Sequence, residues 1–311
     1  MGRNKGKIKK GFIIINVIFI IALAIISFFQ YQKYQEKIKL KEDSISKYKE
    51  MMNNEEIGEK EIKEINDKID ELKNVDEKIQ DLRKEVFKLA SELETKIKKN
   101  ETKYKIAYLT FDDGPYYNTY KVLDILKQNH IKATFFTTNV NGEKCYDNKN
   151  YECHKLYKEY AKANHTIANH TYTHGWNRGL YRSVESFMDA VKKQEELIKS
   201  ETGVITNIVR FPGGSSTPGK TKGNAMKQAL YKAGYGWVDW TASDGDGGYL
   251  PNYTTGWSNF TKTISEPIEV VLFHDYHQVT TKMLPEVIKY LQNKNYILLP
   301  LFYESVAINK K

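Results

Sequence analysis

Cysteine is scarce in this sequence, which argues against a metal centre built from thiolates. The 311 residues include two cysteines, Cys145 and Cys153, and their spacing does not match the Cys-x-x-Cys pairs that bind zinc. They enclose a short polar loop, and a disulfide between them is expected if this region lies outside the cell. Two free thiols are the alternative.

Charged residues are absent from residues 11–29, a stretch that is otherwise almost entirely apolar. A helix of this length spans roughly 28 Å, which is enough to cross a hydrocarbon core. The stretch is longer than the apolar part of a cleaved signal peptide, and no convincing small-x-small cleavage site follows it. The sequence therefore predicts an uncleaved transmembrane anchor, with a cleaved signal peptide as the alternative.

The chain carries a formal net charge of +9, but five of its positive charges fall within residues 1–10. Basic residues beside a transmembrane segment stay in the cytoplasm, so residues 30 onward are expected outside the cell membrane. Because the basic excess belongs largely to this tail, we expect no nucleic-acid partner. Tyrosine is abundant, with 22 residues, and this favours a polymeric carbohydrate ligand because aromatic rings are common in carbohydrate grooves.

Proline is absent from residues 30–102, and glycine occurs there only at Gly58, so little in this segment interrupts a helix. Apolar residues recur at steps of three and four, which is typical of a coiled-coil seam. They are Ile62, Ile65, Ile69, Leu72, Ile79, Leu82, Val86, Leu89, Leu93 and Ile97. The pattern predicts a stalk on the order of 100 Å long whose apolar seam either packs within the protein or associates with other copies of the chain, which would give a homo-oligomer. A single solvated helix is the alternative.

The pattern changes after residue 102, where short apolar runs alternate with segments of helical spacing. The apolar runs are residues 106–111, 133–137, 208–211, 235–240, 270–273 and 296–301. This alternation predicts an α/β domain around a parallel sheet, either open or closed into a barrel. In such folds the chemistry collects at the carboxyl ends of the strands, where Asp112, Arg210 and His274 would lie.

Two adjacent carboxylates, Asp112 and Asp113, end the first apolar run and precede a Gly-Pro turn. Burying two charges at a strand end costs free energy unless a partner or a metal compensates them. A simple turn with an aspartate at its start is the alternative interpretation.

Three histidines fall in one short stretch, at His165, His170 and His174. The last two are four residues apart, and one helical turn would place both imidazoles on the same face, where they could share a metal. Asp113 could complete a site of two histidines and one carboxylate. His165 is interpreted as structural.

Five motifs, in this order along the chain, resemble those of the polysaccharide deacetylases, the NodB-like enzymes of carbohydrate esterase family 4. They are Thr110-Phe111-Asp112-Asp113-Gly114-Pro115, His170-Thr171-Tyr172-Thr173-His174, Arg210-Phe211-Pro212-Gly213-Gly214, Asp246 and Leu272-Phe273-His274. The resemblance covers about residues 105–303 and implies a distorted (β/α) barrel. It also implies hydrolysis of acetyl groups on sugars with a divalent metal, with Zn²⁺ expected and Co²⁺, Ni²⁺ or Mn²⁺ as alternatives.

The resemblance implies a role for each residue of the first motifs. Asp113, His170 and His174 resemble the metal ligands of the family. Asp112 resembles the general base, and Arg210 resembles the arginine that orients this base and keeps it ionised.

The later motifs supply the acid and the substrate contacts. His274 resembles the general acid, and Asp246 the aspartate paired with it, with Asp244 as the alternative partner. The backbone N–H of Gly213 resembles the oxyanion donor, and Leu272 the wall of the acetyl pocket.

Two positions depart from the usual pattern of the family. Gly213 stands where a large aromatic residue is usual, and Gly247 where a tryptophan follows the aspartate. A contact made by the backbone survives such a change, but a wall of the groove is lost. The departures therefore concern substrate binding and the strength of the acid rather than the metal site.

These features together predict a single-pass membrane protein whose catalytic domain is extracellular. The expected domains are a cytoplasmic tail at 1–10, an anchor at 11–29, a stalk at 30–102 and a deacetylase domain at 103–311. The expected partner and substrate is a cell-envelope glycan, foremost the N-acetylglucosamine of peptidoglycan. The alternatives are an exopolysaccharide, an O-acetylated glycan, or a weakened glycan-binding protein on the same fold.

Overall fold

The computed structural model describes residues 76–175, 177–248 and 252–310. The helices of this part are α1 (Asp76–Lys98), α2 (Thr119–Gln128), α3 (His154–Lys162), α4 (Val184–Thr202), α5 (Lys220–Lys232), α6 (Tyr253–Thr263) and α7 (Gln278–Asn293). Its strands are β1 (Lys105–Asp112), β2 (Thr134–Thr137), β3 (Thr166–Asn169), β4 (Ile208–Val209), β5 (Gly236–Trp237), β6 (Ala242–Ser243), β7 (Ile268–His274) and β8 (Tyr296–Leu299).

The strands form one parallel sheet in the order β5-β4-β3-β2-β1-β7-β6, with β8 paired to β1. β7 pairs along the length of one edge of β1, so β2 and β8 share the other edge. β5 and β6 end the order and do not pair with each other among the described strands. The expected α/β class is confirmed, and the barrel is a curled half-barrel.

β1 lies at the centre of the sheet and is buried on both faces. Because side chains alternate along a strand, Ala107, Leu109 and Phe111 face one apolar cluster, while Ile106 and Tyr108 face another. Helices α2, α3 and α7 supply apolar residues to the first cluster. The parallel strands all end at one edge, and that edge carries the polar residues singled out above.

Helix α1 packs on the second cluster with residues that were assigned to the coiled-coil seam. Leu89, Leu93 and Ile97 are buried there against Ile106 and Tyr108. An apolar stripe at steps of three and four suits a helix on a sheet as well as a helix on a helix. The prediction of a coiled-coil seam is wrong for Leu89, Leu93 and Ile97, because the chain buries these residues against its own sheet.

Glu94 strengthens this docking of α1. Its carboxylate is buried and accepts hydrogen bonds from the hydroxyl of Tyr108 and, at 3.0 Å, from the backbone N–H of Val306. The helix is thereby tied to the first strand and to the last loop of the domain.

The anchor predicted at residues 11–29 and most of the stalk lie outside the described residues. Within the described part of the chain, no helix has the length and apolar character needed to cross a membrane. The boundary predicted at residue 102 stays a prediction. The predicted disulfide is confirmed, since Cys145 and Cys153 are bonded.

Candidate active site

The side chains of the two adjacent aspartates project in different directions because β1 ends between them. Asp112 is the last residue of β1 and is 2% exposed. Asp113 has a φ of 72°, in the left-handed region, which non-glycine residues seldom adopt. Gly114 follows, where a Cβ would lie 2.6 Å from a carboxylate oxygen of Asp275, so a larger residue does not fit. This backbone separates the roles available to the two carboxylates.

The two histidines of the expected metal site lie on a loop rather than on a helix. His170 directly follows β3, and His174 is brought back towards it by positive φ angles of 66° at Thr171 and 46° at His174. The imidazole centroids are 4.9 Å apart. The helical-turn interpretation was therefore wrong, although the two rings still meet. His165 precedes β3, and its Nδ1 accepts a hydrogen bond from a backbone N–H, as expected of a structural residue.

Asp113, His170 and His174 lie close enough together that they could hold a divalent cation. Oδ1 of Asp113 lies 3.1 Å from Nε2 of His174 and 3.4 Å from Nε2 of His170. This oxygen is buried and has no hydrogen-bond partner. The ligand atoms of the three residues all lie within 4.8 Å of one another. A buried and unpaired carboxylate oxygen beside two imidazole nitrogens fits the donor set of a Zn²⁺-type ion.

The state of His170 supports this fit. Its Nδ1 lies 2.8 Å from the backbone oxygen of Arg210, which can only accept, so Nδ1 carries the proton and Nε2 presents its lone pair. Burial, together with the neighbouring His174, lowers the pKa of His170 to about 3. The imidazole is therefore neutral, as metal ligation requires.

Arg210 follows β4 and is fully buried beside Asp112. Its Nη1 donates to Oδ1 of Asp112 at 2.8 Å and to the hydroxyl of Thr110 at 2.7 Å. Nε and Nη2 donate to the backbone oxygens of Val238 and Asp239 at 3.3 and 3.1 Å. Each guanidinium nitrogen thus has an acceptor, which fixes the carboxylate of Asp112 in one orientation.

Burial raises the pKa of Asp112 above its usual range, while the charges of Arg210 and His274 oppose this rise. Arg210 acts in the direction expected from the sequence, but burial outweighs it. A carboxylate with a raised pKa accepts a proton more readily, which suits a general base.

His274, the last residue of β7, is held by Asp246. Its Nδ1 lies 2.7 Å from Oδ1 of Asp246, and its backbone N–H donates to Oδ2 at the same distance. The hydroxyl of Thr280 also donates to Oδ2 at 2.6 Å. Asp244, the alternative partner, instead accepts a hydrogen bond from the backbone N–H of Asp246.

These contacts decide the charge of His274 and of its neighbours. Burial disfavours the imidazolium of His274. The hydrogen bond and the charge of Asp246 outweigh burial and raise the pKa of His274 to about 10. Burial, together with the charge of Asp246, raises the pKa of Asp244 to about 8. His274 is therefore a cation at neutral pH, as a general acid must be.

A cavity of about 680 Å³ opens onto these residues. Gly213 and Leu272 line it as expected, and so does Gly247. A Cβ at Gly247 would lie 2.6 Å from Cε1 of His274, so the imidazole occupies the space that a side chain would need. At Gly213 the φ of 74° favours glycine. The two departures from the family pattern are thus accommodated by the local backbone and the histidine ring.

Sequence reasoning missed several residues of this site, among them Trp240 and Thr280. Trp240 lines the cavity, and it could have been found because it ends an apolar run that was interpreted as a strand. Thr280, in the first turn of α7, holds Asp246. No sequence signal marked it, since a threonine near a helix start is usually explained by local capping.

The comparisons with known proteins agree with this geometry. A family model described as polysaccharide deacetylase matches residues 99–235. A peptidoglycan-N-acetylglucosamine deacetylase of Bacillus cereus is 31% identical over 224 residues, covering 68% of this chain and 77% of the relative. The chain belongs to the polysaccharide deacetylase family, the NodB-like enzymes of carbohydrate esterase family 4.

Solved structures of the family resemble the described part of the chain. The catalytic domain of a peptidoglycan N-acetylglucosamine deacetylase from Eubacterium rectale has a TM-score of 0.58 and 32% identity, covering 67% of this chain and 93% of that one. A polysaccharide deacetylase from Bacillus cereus has a TM-score of 0.56 and 29% identity, covering 65% and 94%.

Proposed function

We propose that this protein removes N-acetyl groups from a cell-envelope polysaccharide, foremost from the N-acetylglucosamine of peptidoglycan. The observation that carries the proposal is that Asp112 and His274 both lie beside the cluster of Asp113, His170 and His174. Oδ2 of Asp112 lies 3.6 Å from Nε2 of His170, and Nε2 of His274 lies 3.8 Å from Oδ2 of Asp113. Relatives named as peptidoglycan-N-acetylglucosamine deacetylases support the choice of substrate.

Asp113, His170 and His174 would hold the metal, for which Zn²⁺ is proposed and Co²⁺, Ni²⁺ or Mn²⁺ are alternatives. Such a cation supplies a Lewis acid that polarises the acetyl carbonyl and lowers the pKa of water. The remaining chemistry belongs to the side chains and backbone of this chain.

Asp112 acts as the general base, which takes a proton from the attacking water. Arg210 holds its carboxylate in one orientation, so the base does not have to be ordered during the reaction. The backbone N–H of Gly213 donates to the oxygen on which negative charge develops, a contribution often worth about 3 kcal/mol. Leu272 forms an apolar wall for the methyl of the acetyl group.

His274 acts as the general acid. An amine leaves readily only after its nitrogen has gained a proton, and the imidazolium of His274 supplies it. Asp246 keeps the imidazole charged and fixes its orientation. The acid and the base are therefore two different groups, and each is oriented by its own buried partner, Asp246 for His274 and Arg210 for Asp112.

We further propose that residues 11–29 anchor the protein in the cell membrane, with the catalytic domain outside. Because Leu89, Leu93 and Ile97 of α1 are buried against the sheet, association of copies through the stalk would have to use other residues of the predicted seam. An anchor and a spacer would place the site near the cell wall, which agrees with a wall polymer as substrate.

Acetate release tests the proposal. Purified full-length protein, loaded with Zn²⁺ or Co²⁺, should release acetate from peptidoglycan glycan strands, and chelation should stop the release until metal is restored. The panel should include N-acetylglucosamine oligomers, an exopolysaccharide and an O-acetylated glycan. Metal-loaded protein that binds these glycans but releases acetate from none would instead indicate the glycan-binding alternative.

A further inference from the structure

Part of the catalytic cavity is lined by residues to which the deacetylation chemistry assigns no role. Asn259, Lys262 and Thr263 come from the last turns of α6. Ser243 and Gly248 come from β6 and from the loop after it. The cavity therefore extends beyond the base, the acid and the metal ligands, and the extension has its own polar groups.

Four glycines enlarge this cavity because they have no side chains to fill it. They are Gly213, Gly245, Gly247 and Gly248, and all of them line it. At Gly248 even an added Cβ would meet nothing within 4 Å. A volume of about 680 Å³ is in the range that encloses a complete small ligand. An acetyl group alone would fill little of it, so space remains for a substituted sugar beside the reacting one.

Lys262 gives the extension a charge. Among the described residues that line the cavity it is the only lysine or arginine, and its side chain is exposed. Within the described part of the chain it has no carboxylate at ion-pair distance. The acidic residues of the cavity are engaged elsewhere, Asp112 with Arg210 and Asp113 with the two histidines. Among the residues that the structure describes, the ammonium of Lys262 is thus a positive charge in the cavity lining without a carboxylate partner.

We propose that Lys262 binds a carboxylate carried by the sugar next to the one that loses its acetyl group. This inference rests on the proposed function and narrows its substrate to glycans in which an acidic sugar neighbours N-acetylglucosamine. A single lysine provides a point charge rather than the planar fork of an arginine, so it can bind an anionic group such as a carboxylate without a two-point geometry. The glycine-lined space accommodates the substituent that carries this carboxylate.

A purely structural role for Lys262 makes a different prediction. It lies in the last turn of α6, where a cation also interacts favourably with the helix dipole. Loss of that interaction would weaken the helix and reduce activity on every substrate alike. A binding role changes the preference between acidic and neutral substrates instead.

The test compares two substrates that share one sugar backbone. Full-length protein is assayed on peptidoglycan glycan strands with free lactyl carboxylates, and on the same strands after the carboxylates have been converted to uncharged amides. The measured quantity is the ratio of kcat/KM on the acidic strands to kcat/KM on the amidated strands. Lys262→Gln removes the charge and Lys262→Arg retains it. Lys289→Gln, at an exposed position on α7, is the matched control.

We expect Lys262→Gln to lower this ratio about fivefold, mainly through KM, because an exposed ion pair contributes modestly. Lys262→Arg should keep most of the wild-type ratio, and Lys289→Gln should leave the ratio unchanged. Addition of 0.5 M salt should reduce the preference of the wild type for the acidic strands. An unchanged ratio in Lys262→Gln, or an equal loss on both strands, overturns the inference. Wild-type protein that releases no acetate from either strand would contradict the proposed function itself.

Discussion

Nη1 of Arg210 lies 2.8 Å from Oδ1 of Asp112, and both side chains are buried. Removal of the guanidinium would leave a buried carboxylate without its charged partner, which costs about 3–5 kcal/mol. We predict that Arg210→Met lowers the free energy of unfolding by about this amount, as measured by urea denaturation. The pKa of Asp112 should rise further, so the acid limb of the pH–rate profile should move to higher pH. Unchanged stability and an unchanged acid limb would contradict this account of the pair.

Asp246→Asn tests whether Asp246 keeps the imidazole of His274 protonated. The variant removes the charge that outweighs burial and raises the pKa of His274 to about 10. The alkaline limb of the pH–rate profile should therefore move to lower pH, and kcat at pH 8 should fall about 10²–10⁴-fold. Asp244→Asn is the matched control, because among the described residues it is Asp246 and not Asp244 that forms a hydrogen bond with His274, and it should lower kcat far less. Equal losses in the two variants would contradict the pairing of Asp246 with His274.

The same pair makes a prediction about stability. A histidine whose pKa is raised on folding stabilises the folded state fully below its unfolded pKa of about 6.5. This contribution should be lost as the pH rises towards about 10. The free energy of unfolding should therefore decline over this range in the wild type and decline less in Asp246→Asn. A parallel pH dependence in both proteins would show that the pair does not couple to folding.

Leu93→Ala distinguishes the two interpretations of the stalk. Leu93 is buried against the sheet, so the substitution should lower the free energy of unfolding by about 2–5 kcal/mol. It should leave the oligomeric state unchanged, because the residue is used within one chain. Urea denaturation and sedimentation measure the two quantities. A change of oligomeric state without a loss of domain stability would restore the coiled-coil interpretation for this region.

Glu94 makes the docking of α1 sensitive to pH. Burial raises its pKa above the usual 4.5, although hydrogen bonds from Tyr108 and Val306 oppose the rise. The folded state therefore binds this proton more tightly than the unfolded chain, and its stability should fall as the pH rises from about 4.5 through the higher folded pKa. Glu94→Gln should remove this part of the decline.

Glu94→Ala is the matched variant for Glu94→Gln. It leaves the hydroxyl of Tyr108 and the N–H of Val306 without their acceptor, so it should cost about 1–3 kcal/mol at neutral pH. Urea denaturation of the three proteins at a series of pH values measures both effects. If the free energy of unfolding of Glu94→Gln fell with rising pH as steeply as that of the wild type, the carboxyl of Glu94 would not be the titrating group.

The site was more predictable than the elements that carry it. The order of the motifs identified Asp113, His170 and His174, but not the loop that joins the two histidines. Positive φ angles at Thr171 and His174 are set by tertiary contacts and leave no mark in the residue types. The spacing of four residues therefore matches a helical turn only by coincidence, because a loop brings the two rings together.

The fold shows the same limit. The apolar runs at 106–111 and 270–273 predicted β1 and β7, whereas β6 (Ala242–Ser243) has two residues and no periodicity that could be detected. The stripe on α1 predicted a buried face correctly, but periodicity alone does not say whether a second helix or a sheet covers that face. The partner of the stripe is decided by residues such as Glu94 and Tyr108, which meet only in the folded chain.

The most direct test of the central claim is acetate release by Asp112→Asn, loaded with Zn²⁺ and compared with the wild type on peptidoglycan glycan strands. Asp112 is proposed as the base and Asp113 as the ligand, so Asp112→Asn should keep its bound metal and lose turnover by about 10²–10⁴-fold. Asp113→Asn should instead lose the metal. An Asp112→Asn protein that retains full activity with metal bound would contradict the account.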